Sequence, residues 1–177
     1  MDALWVFGYG SLIWDPGFPV AEQRVARVHG WQRSFCMRSI HHRGSVDAPG
    51  LVLALDAGDG AYCDGVAFRV QPGHEDETLA ALRARELISS AYLEAQVALE
   101  DGMLALVYVI DRTHDQYCGG LELEEQAQII ARSTGGRGPN RDYLWFTAQH
   151  LTSLGLTDPD LNWLATRVRE ICGNTDN

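Results

Sequence analysis

The apolar positions of the chain change period about halfway along. In the first half they alternate, or run in short β-branched and aromatic stretches: Trp5 to Tyr9, Gln23 to Met37, Leu51 to Leu55, Gly65 to Val70, Leu93 to Leu99 and Met103 to Ile110. Gln23 to Met37 suits one long strand or two short ones. Asp101-Gly102, between the last two stretches, predicts a two-residue hairpin. One helix interrupts this half, Glu75 to Leu87, with Leu79 and Leu82 at helical spacing. From Glu122 onward the period is helical. Glu122 to Ser133 leads into Gly135-Gly136, read as a C-terminal stop, and Pro139 to Leu154 carries Leu144, Leu151 and Leu154 on one side. Asp158-Pro159 supplies a cap and a first-turn proline for a helix with Leu161, Leu164, Val168 and Ile171 in phase. Strands first and helices last predict an α+β fold rather than an alternating parallel sheet. A small, largely closed, mixed or antiparallel sheet is the expected architecture.

Neither a repeat nor a linker divides the 177 residues, so 1–177 is read as a single domain. The apolar share of 46% against 21% charged argues against disorder. The net charge of −10 changes the list of partners: a nucleic-acid backbone is excluded, because its recognition leans on clustered Lys and Arg. Arg24 to Arg43 is the one basic stretch. The longest apolar run, Met103 to Ile110, is too short to span a bilayer, so no membrane partner is expected. Met1 to Trp5 lacks the basic and apolar regions of a signal peptide, which predicts a cytoplasmic protein. Cys36, Cys63, Cys118 and Cys172 lie far apart, with no Cys-x-x-Cys pair and no His at zinc-ligand spacing. They read as reduced, mostly buried thiols, and no metal is expected.

Candidate chemistry concentrates in four places. Phe7-Gly8-Tyr9-Gly10-Ser11-Leu12 puts two glycines around a tyrosine at a strand end, where bare N–H groups can face an anion. A plain tight turn is the alternative. Ile13 stands where a dinucleotide fingerprint needs its third glycine. Glu86 falls on the stripe of Leu79 and Leu82, at i+7. A carboxylate buried there would have a raised pKa and serve as a general base near neutrality. An ion pair with Arg83 or Arg85 is the competing reading. His41-His42 point to opposite faces of an extended segment and make no shared metal site. Arg38 or Arg43 can hold a carboxylate bidentately, and Cys36 with His41 is a loose candidate for a thiol nucleophile. Gly135 to Gly138 leads into a helix whose Tyr143 lies one position before the apolar stripe, so that its hydroxyl is expected at a pocket edge.

These motifs occur in the order of a known family. Trp5-Val6-Phe7-Gly8-Tyr9-Gly10-Ser11-Leu12-Ile13-Trp14 resembles the N-terminal signature of the ChaC-like γ-glutamylcyclotransferases. His42-Arg43-Gly44 with Pro49-Gly50, Asp64 to Val70, Arg85-Glu86 with Tyr92, and Gly138 to Leu144 resemble its later motifs. Asp142 replaces a more usual Glu, Ile88-Ser89-Ser90-Ala91 replaces a glycine-rich stretch, and Leu93 stands where an Arg often follows the tyrosine. The resemblance implies a γ-glutamylcyclotransferase-like fold, a small β-barrel-like sheet with flanking helices concentrated in the C-terminal half. It implies cleavage of glutathione to 5-oxoproline and cysteinylglycine without a cofactor. Glu86 is then the general acid/base, and Tyr9, Gly10, Ser11, Leu12, Arg43 and Tyr143 contact the substrate. The alternatives are a cyclotransferase for other γ-glutamyl amides, a non-catalytic binding module on the same scaffold, and a thiol hydrolase using Cys36.

Overall fold

The computed structural model describes residues 3–87 and 91–173. The chain forms two compact units. One holds the chain up to Ser34 together with Ala54–Asp115, and the other holds Phe35–Leu53 together with the chain from Gln116 on. Among the described residues no helix is long and apolar enough to cross a membrane.

The strands in chain order are β1 (Trp5–Gly8), β2 (Val20–Ser39), β3 (Gly50–Val70), β4 (Tyr92–Ala98) and β5 (Leu104–Ile110). They make one mainly antiparallel sheet in the order β2-β3-β1-β5-β4. Within the first unit, β1 runs antiparallel to β3 with Val6 opposite Phe68, and parallel to β5 with Val6 opposite Leu106. β4 and β5 form the antiparallel hairpin expected from their sequences. Its loop is one residue longer than predicted. The Gly102 N–H closes the turn on the Leu99 carbonyl at 2.8 Å, and its φ of 89° is left-handed, a conformation glycine adopts without a Cβ clash. The sheet is not closed, contrary to the barrel-like expectation. Its edge strands are tied by an isolated bridge between Val28 and Leu99 and by the Glu100 N–H to the Arg27 carbonyl at 2.8 Å.

Helix α1 (Ser11–Trp14) follows β1, and α2 (Glu75–Glu86) follows β3. A core cluster of Val6, Leu12, Val70, Leu82, Leu106 and Tyr108 takes Leu79 and Leu87 against it. The stripe read from the sequence is therefore the face of α2 that packs on the sheet.

The second unit contains α3 (Leu123–Arg132), β6 (Thr134–Gly135), β7 (Gly138–Pro139), α4 (Asn140–Ser153) and α5 (Pro159–Gly173). The three helices pack on one another through Ala127 and Ile130, Leu144 and Leu151, and Leu161, Leu164 and Val168. Asp158 caps α5, its carboxylate accepting the Leu161 N–H at 3.1 Å, as its position before Pro159 predicts. Gly135 and Gly136 serve another purpose than stopping a helix, since α3 already ends at Arg132. A Cβ on Gly135 would run into the backbone nitrogens of Arg43 and Gly44.

Candidate active site

Three neighbours fix the Gly8–Leu12 turn in the first unit. The Tyr9 hydroxyl donates to the Tyr108 carbonyl in β5 at 2.6 Å, and Arg33 Nε of β2 donates to the Tyr9 carbonyl at 2.6 Å. From α2, Arg85 donates through Nη2 to Ser11 Oγ at 3.1 Å and through Nη1 to the Asp15 carbonyl at 2.7 Å. Leu12 is buried in the core cluster. A turn held by three side-chain anchors and a buried leucine presents its backbone in one conformation. The Ser11 and Leu12 amides open a helical turn, where N–H groups have no intrahelical acceptor. Gly10 has φ −140°, so its place in the turn owes nothing to left-handed backbone.

Glu86 is the last residue of α2, its side chain 14% exposed. The sequence left two readings of this carboxylate. Arg83 is taken elsewhere: its Nε and Nη2 grip both oxygens of Glu94 at 3.0 and 3.1 Å. Arg85 does meet Glu86, with Nε 3.5 Å from Oε1. The same guanidinium that clamps the Ser11 turn thus borders the carboxylate. In the sequence Arg85 stands out only as an ion-pair partner for Glu86. Nothing in its spacing announces the two bonds to residues some seventy positions away.

Tyr108, whose hydroxyl feels the Glu86 charge, engages a second carboxylate. The Tyr108 hydroxyl donates to Glu94 Oε1 at 2.9 Å. The Arg83 guanidinium holds the Glu94 carboxyl below its ordinary range, while burial and then the Glu94 bond push the Tyr108 hydroxyl up, so Tyr108 stays a donor. Because Glu94 has a lowered folded pKa, its pairing adds stability above its unfolded value of about 4.3 and loses it as pH falls further. Glu94→Gln is therefore expected to lower stability at pH 7, and the gap to the parent should close in urea melts below about pH 4.

Arg43 and Tyr143 belong to the second unit, together. Arg43 is 6% exposed, with Nη1 3.2 Å from the Pro139 carbonyl and its guanidinium 5.7 Å from the Tyr143 ring centre. Burial pulls its pKa below the ordinary guanidinium value. Tyr143 is buried, its hydroxyl accepting the Leu53 N–H at 3.1 Å and its ring edge-on to Phe35. The hydroxyl expected at a pocket edge is an anchor for β3.

The neighbouring motifs form a clasp. Asn140, wholly buried, accepts the Leu51 N–H and donates to the Leu51 carbonyl, both at 2.8 Å. Ser133 Oγ donates to the Pro49 carbonyl at 3.1 Å, and the amides of Gly136 and Arg137 donate to the His41 and His42 carbonyls at 2.7 and 2.9 Å. A Cβ on Gly44 would strike the Gly50 backbone, and one on Gly50 would strike the Arg43 carbonyl. The histidine pair thus contributes backbone carbonyls here. Among the described residues no cluster of His, Cys, Asp and Glu has the makings of a metal site. Ile88-Ser89-Ser90, where the sequence departs from the family pattern, lies outside the described residues.

The fold is that of the γ-glutamylcyclotransferases. The crystal structure of the yeast γ-glutamylcyclotransferase specific to glutathione superposes with a TM-score of 0.87 at 25% identity, over 100% of both chains. The chain is 36% identical over 172 residues to the glutathione-specific γ-glutamylcyclotransferase of Escherichia coli K12, covering 95% of this chain and 74% of that protein. It is 34% identical over 160 residues to human glutathione-specific γ-glutamylcyclotransferase 1, covering 87% and 72%. The family model of ChaC-like proteins matches residues 4–171. The chain belongs to the ChaC-like family.

Proposed function

We propose that this protein is a glutathione-specific γ-glutamylcyclotransferase, with Glu86 as its general acid/base. The observation that carries the reading is Arg85. It bonds the Ser11 turn and borders the Glu86 carboxylate, so the turn's amides and the base are oriented by one side chain. The names of the curated relatives support glutathione as the substrate.

The chemistry follows from the substrate. The α-amine of the γ-glutamyl group attacks its own γ-carbonyl, closing a five-membered ring and expelling the cysteinyl amine. Intramolecular attack spares the entropy of bringing two reactants together. The α-amine attacks as the free base and must shed a proton as the C–N bond forms, and the leaving amine must gain one. Glu86 takes the first proton and delivers the second, so no net proton is exchanged. The amides of Tyr9, Gly10, Ser11 and Leu12 hold the substrate carboxylate or the developing oxyanion. No step calls for a metal or an organic cofactor. A substrate kept as the reduced thiol belongs to a reducing compartment, and the cytoplasm is where we place the enzyme.

Incubation with reduced glutathione should release 5-oxoproline and cysteinylglycine in equal amounts. Release from other γ-glutamyl amides but not from glutathione would replace the substrate. Binding of glutathione without release would turn the reading to a binding module.

A further inference from the structure

The four cysteines look scattered in the sequence, yet two of them face each other in the second unit. Met37 of β2 and Tyr117 form an isolated antiparallel bridge. On one side of it the Arg38 N–H donates to the Gln116 carbonyl at 2.8 Å, and on the other the Cys118 N–H donates to the Cys36 carbonyl at 2.7 Å. In this register Cys36 stands directly opposite Cys118, and residues directly opposite in an antiparallel pair put their side chains on the same face. Residues directly opposite in an antiparallel pair have their Cα atoms about 4.5–5.5 Å apart, inside the span of about 4.4–6.8 Å that a disulfide needs. The two positions differ in access: Cys36 is wholly buried and Cys118 is half-buried.

We propose that Cys36 and Cys118 are a redox modification site, closing reversibly to a cross-strand disulfide under attack from a small external disulfide. The difference in access sets the order of events. The Cys118 thiolate attacks one sulfur of the external disulfide, forming a mixed disulfide and expelling a thiolate that takes up the proton Cys118 gave up. The Cys36 thiolate then attacks the Cys118 sulfur. The Cys36–Cys118 bond forms, and the second external thiol leaves with the Cys36 proton. Two protein thiols are oxidised by two electrons, and one external disulfide is reduced to two thiols. Burial holds the Cys118 thiol above its ordinary pKa, while the nearby Arg38 charge pulls the other way. The first step should therefore quicken as pH rises. Cys63 and Cys172 take no part: their sulfurs lie 3.8 Å from the carbonyls of Asp64 and Ala131.

The proposal is independent of the activity, and its test avoids glutathione, which the protein would consume. The full-length protein is equilibrated in mixtures of 2-mercaptoethanol and its disulfide, quenched in acid, alkylated and mapped by peptide mass. One Cys36–Cys118 cross-linked peptide is expected to accumulate to most of the protein at the oxidising end and to vanish on adding excess thiol. Cys118→Ser and Cys36→Ala should each abolish it, and the Cys63→Ser/Cys172→Ser double variant should keep it. If Cys36→Ala fails to fold, Cys118→Ser carries the same comparison. A mixed disulfide that stays on Cys118 while Cys36 remains alkylatable overturns the proposal, as does alkylation of both thiols at every ratio.

Discussion

Glu86→Gln is expected to lower kcat for glutathione by about 10²–10⁴-fold while KM moves by no more than a few-fold. Glutamine keeps the size of the side chain at the end of α2 and loses the oxygen that accepts a proton. The Arg85 bonds to Ser11 Oγ and the Asp15 carbonyl do not involve Glu86, so the turn keeps its place in the variant. A variant that binds substrate and fails to close the ring separates chemistry from recognition. The measurement is the rate of 5-oxoproline release under saturating glutathione, with binding followed by calorimetry. A rate within a few-fold of the parent removes Glu86 from the mechanism. Equal loss of binding and turnover assigns it to recognition instead.

The largest stability effect is expected at Asn140. Alanine there leaves the Leu51 N–H and carbonyl buried without their partner, each at a cost of about 1–3 kcal/mol, so that the variant should lose about 2–6 kcal/mol. Both groups sit at the start of β3, away from water, and nothing smaller than the amide reaches them together. Asn140→Asp keeps an acceptor for the Leu51 N–H, loses the donor and buries a charge, so it should be no better than alanine. Urea unfolding at pH 7 decides. An alanine variant within about 0.5 kcal/mol of the parent would mean that water or a neighbouring group satisfies Leu51.

The sequence was most readable where one periodicity governed a whole element. Leu79 and Leu82 placed α2 on the core, and Asp158-Pro159 marked the start of α5. It misled where polar residues are part of an extended ribbon. Leu51 to Leu55 and Gly65 to Val70 read as two strands, because Asp56 to Asp64 carries Gly58, Asp59 and Gly60 between them. They are one strand of 21 residues, whose Gly60 turns to φ 75° within it. Charge and glycine break a pattern read from burial, and a solvent-facing ribbon has no burial to display. The four-residue α1 is too short to show a helical period at all. At the candidate site, the glycine turn and Glu86 stood out by residue type. Arg85 and Arg33 did not, because their significance lies in where a long side chain ends. The motif around Arg43 and Asn140 was visible as a resemblance, while its tight backbone packing emerges only in three dimensions.

The two long strands have a consequence for how the molecule can be taken apart. β2 passes from one unit to the other after Ser34, and β3 passes back after Leu53, so neither unit is a continuous piece of chain. A fragment ending near Asp115 would carry residues 35–53 stripped of the helices that complete their unit. Phe35, Met37, Leu51 and Leu53, all buried in the whole protein, would then meet water. No single cleavage yields an autonomous half, and a gene cut between the strands and the helices encodes two aggregation-prone remnants rather than two modules.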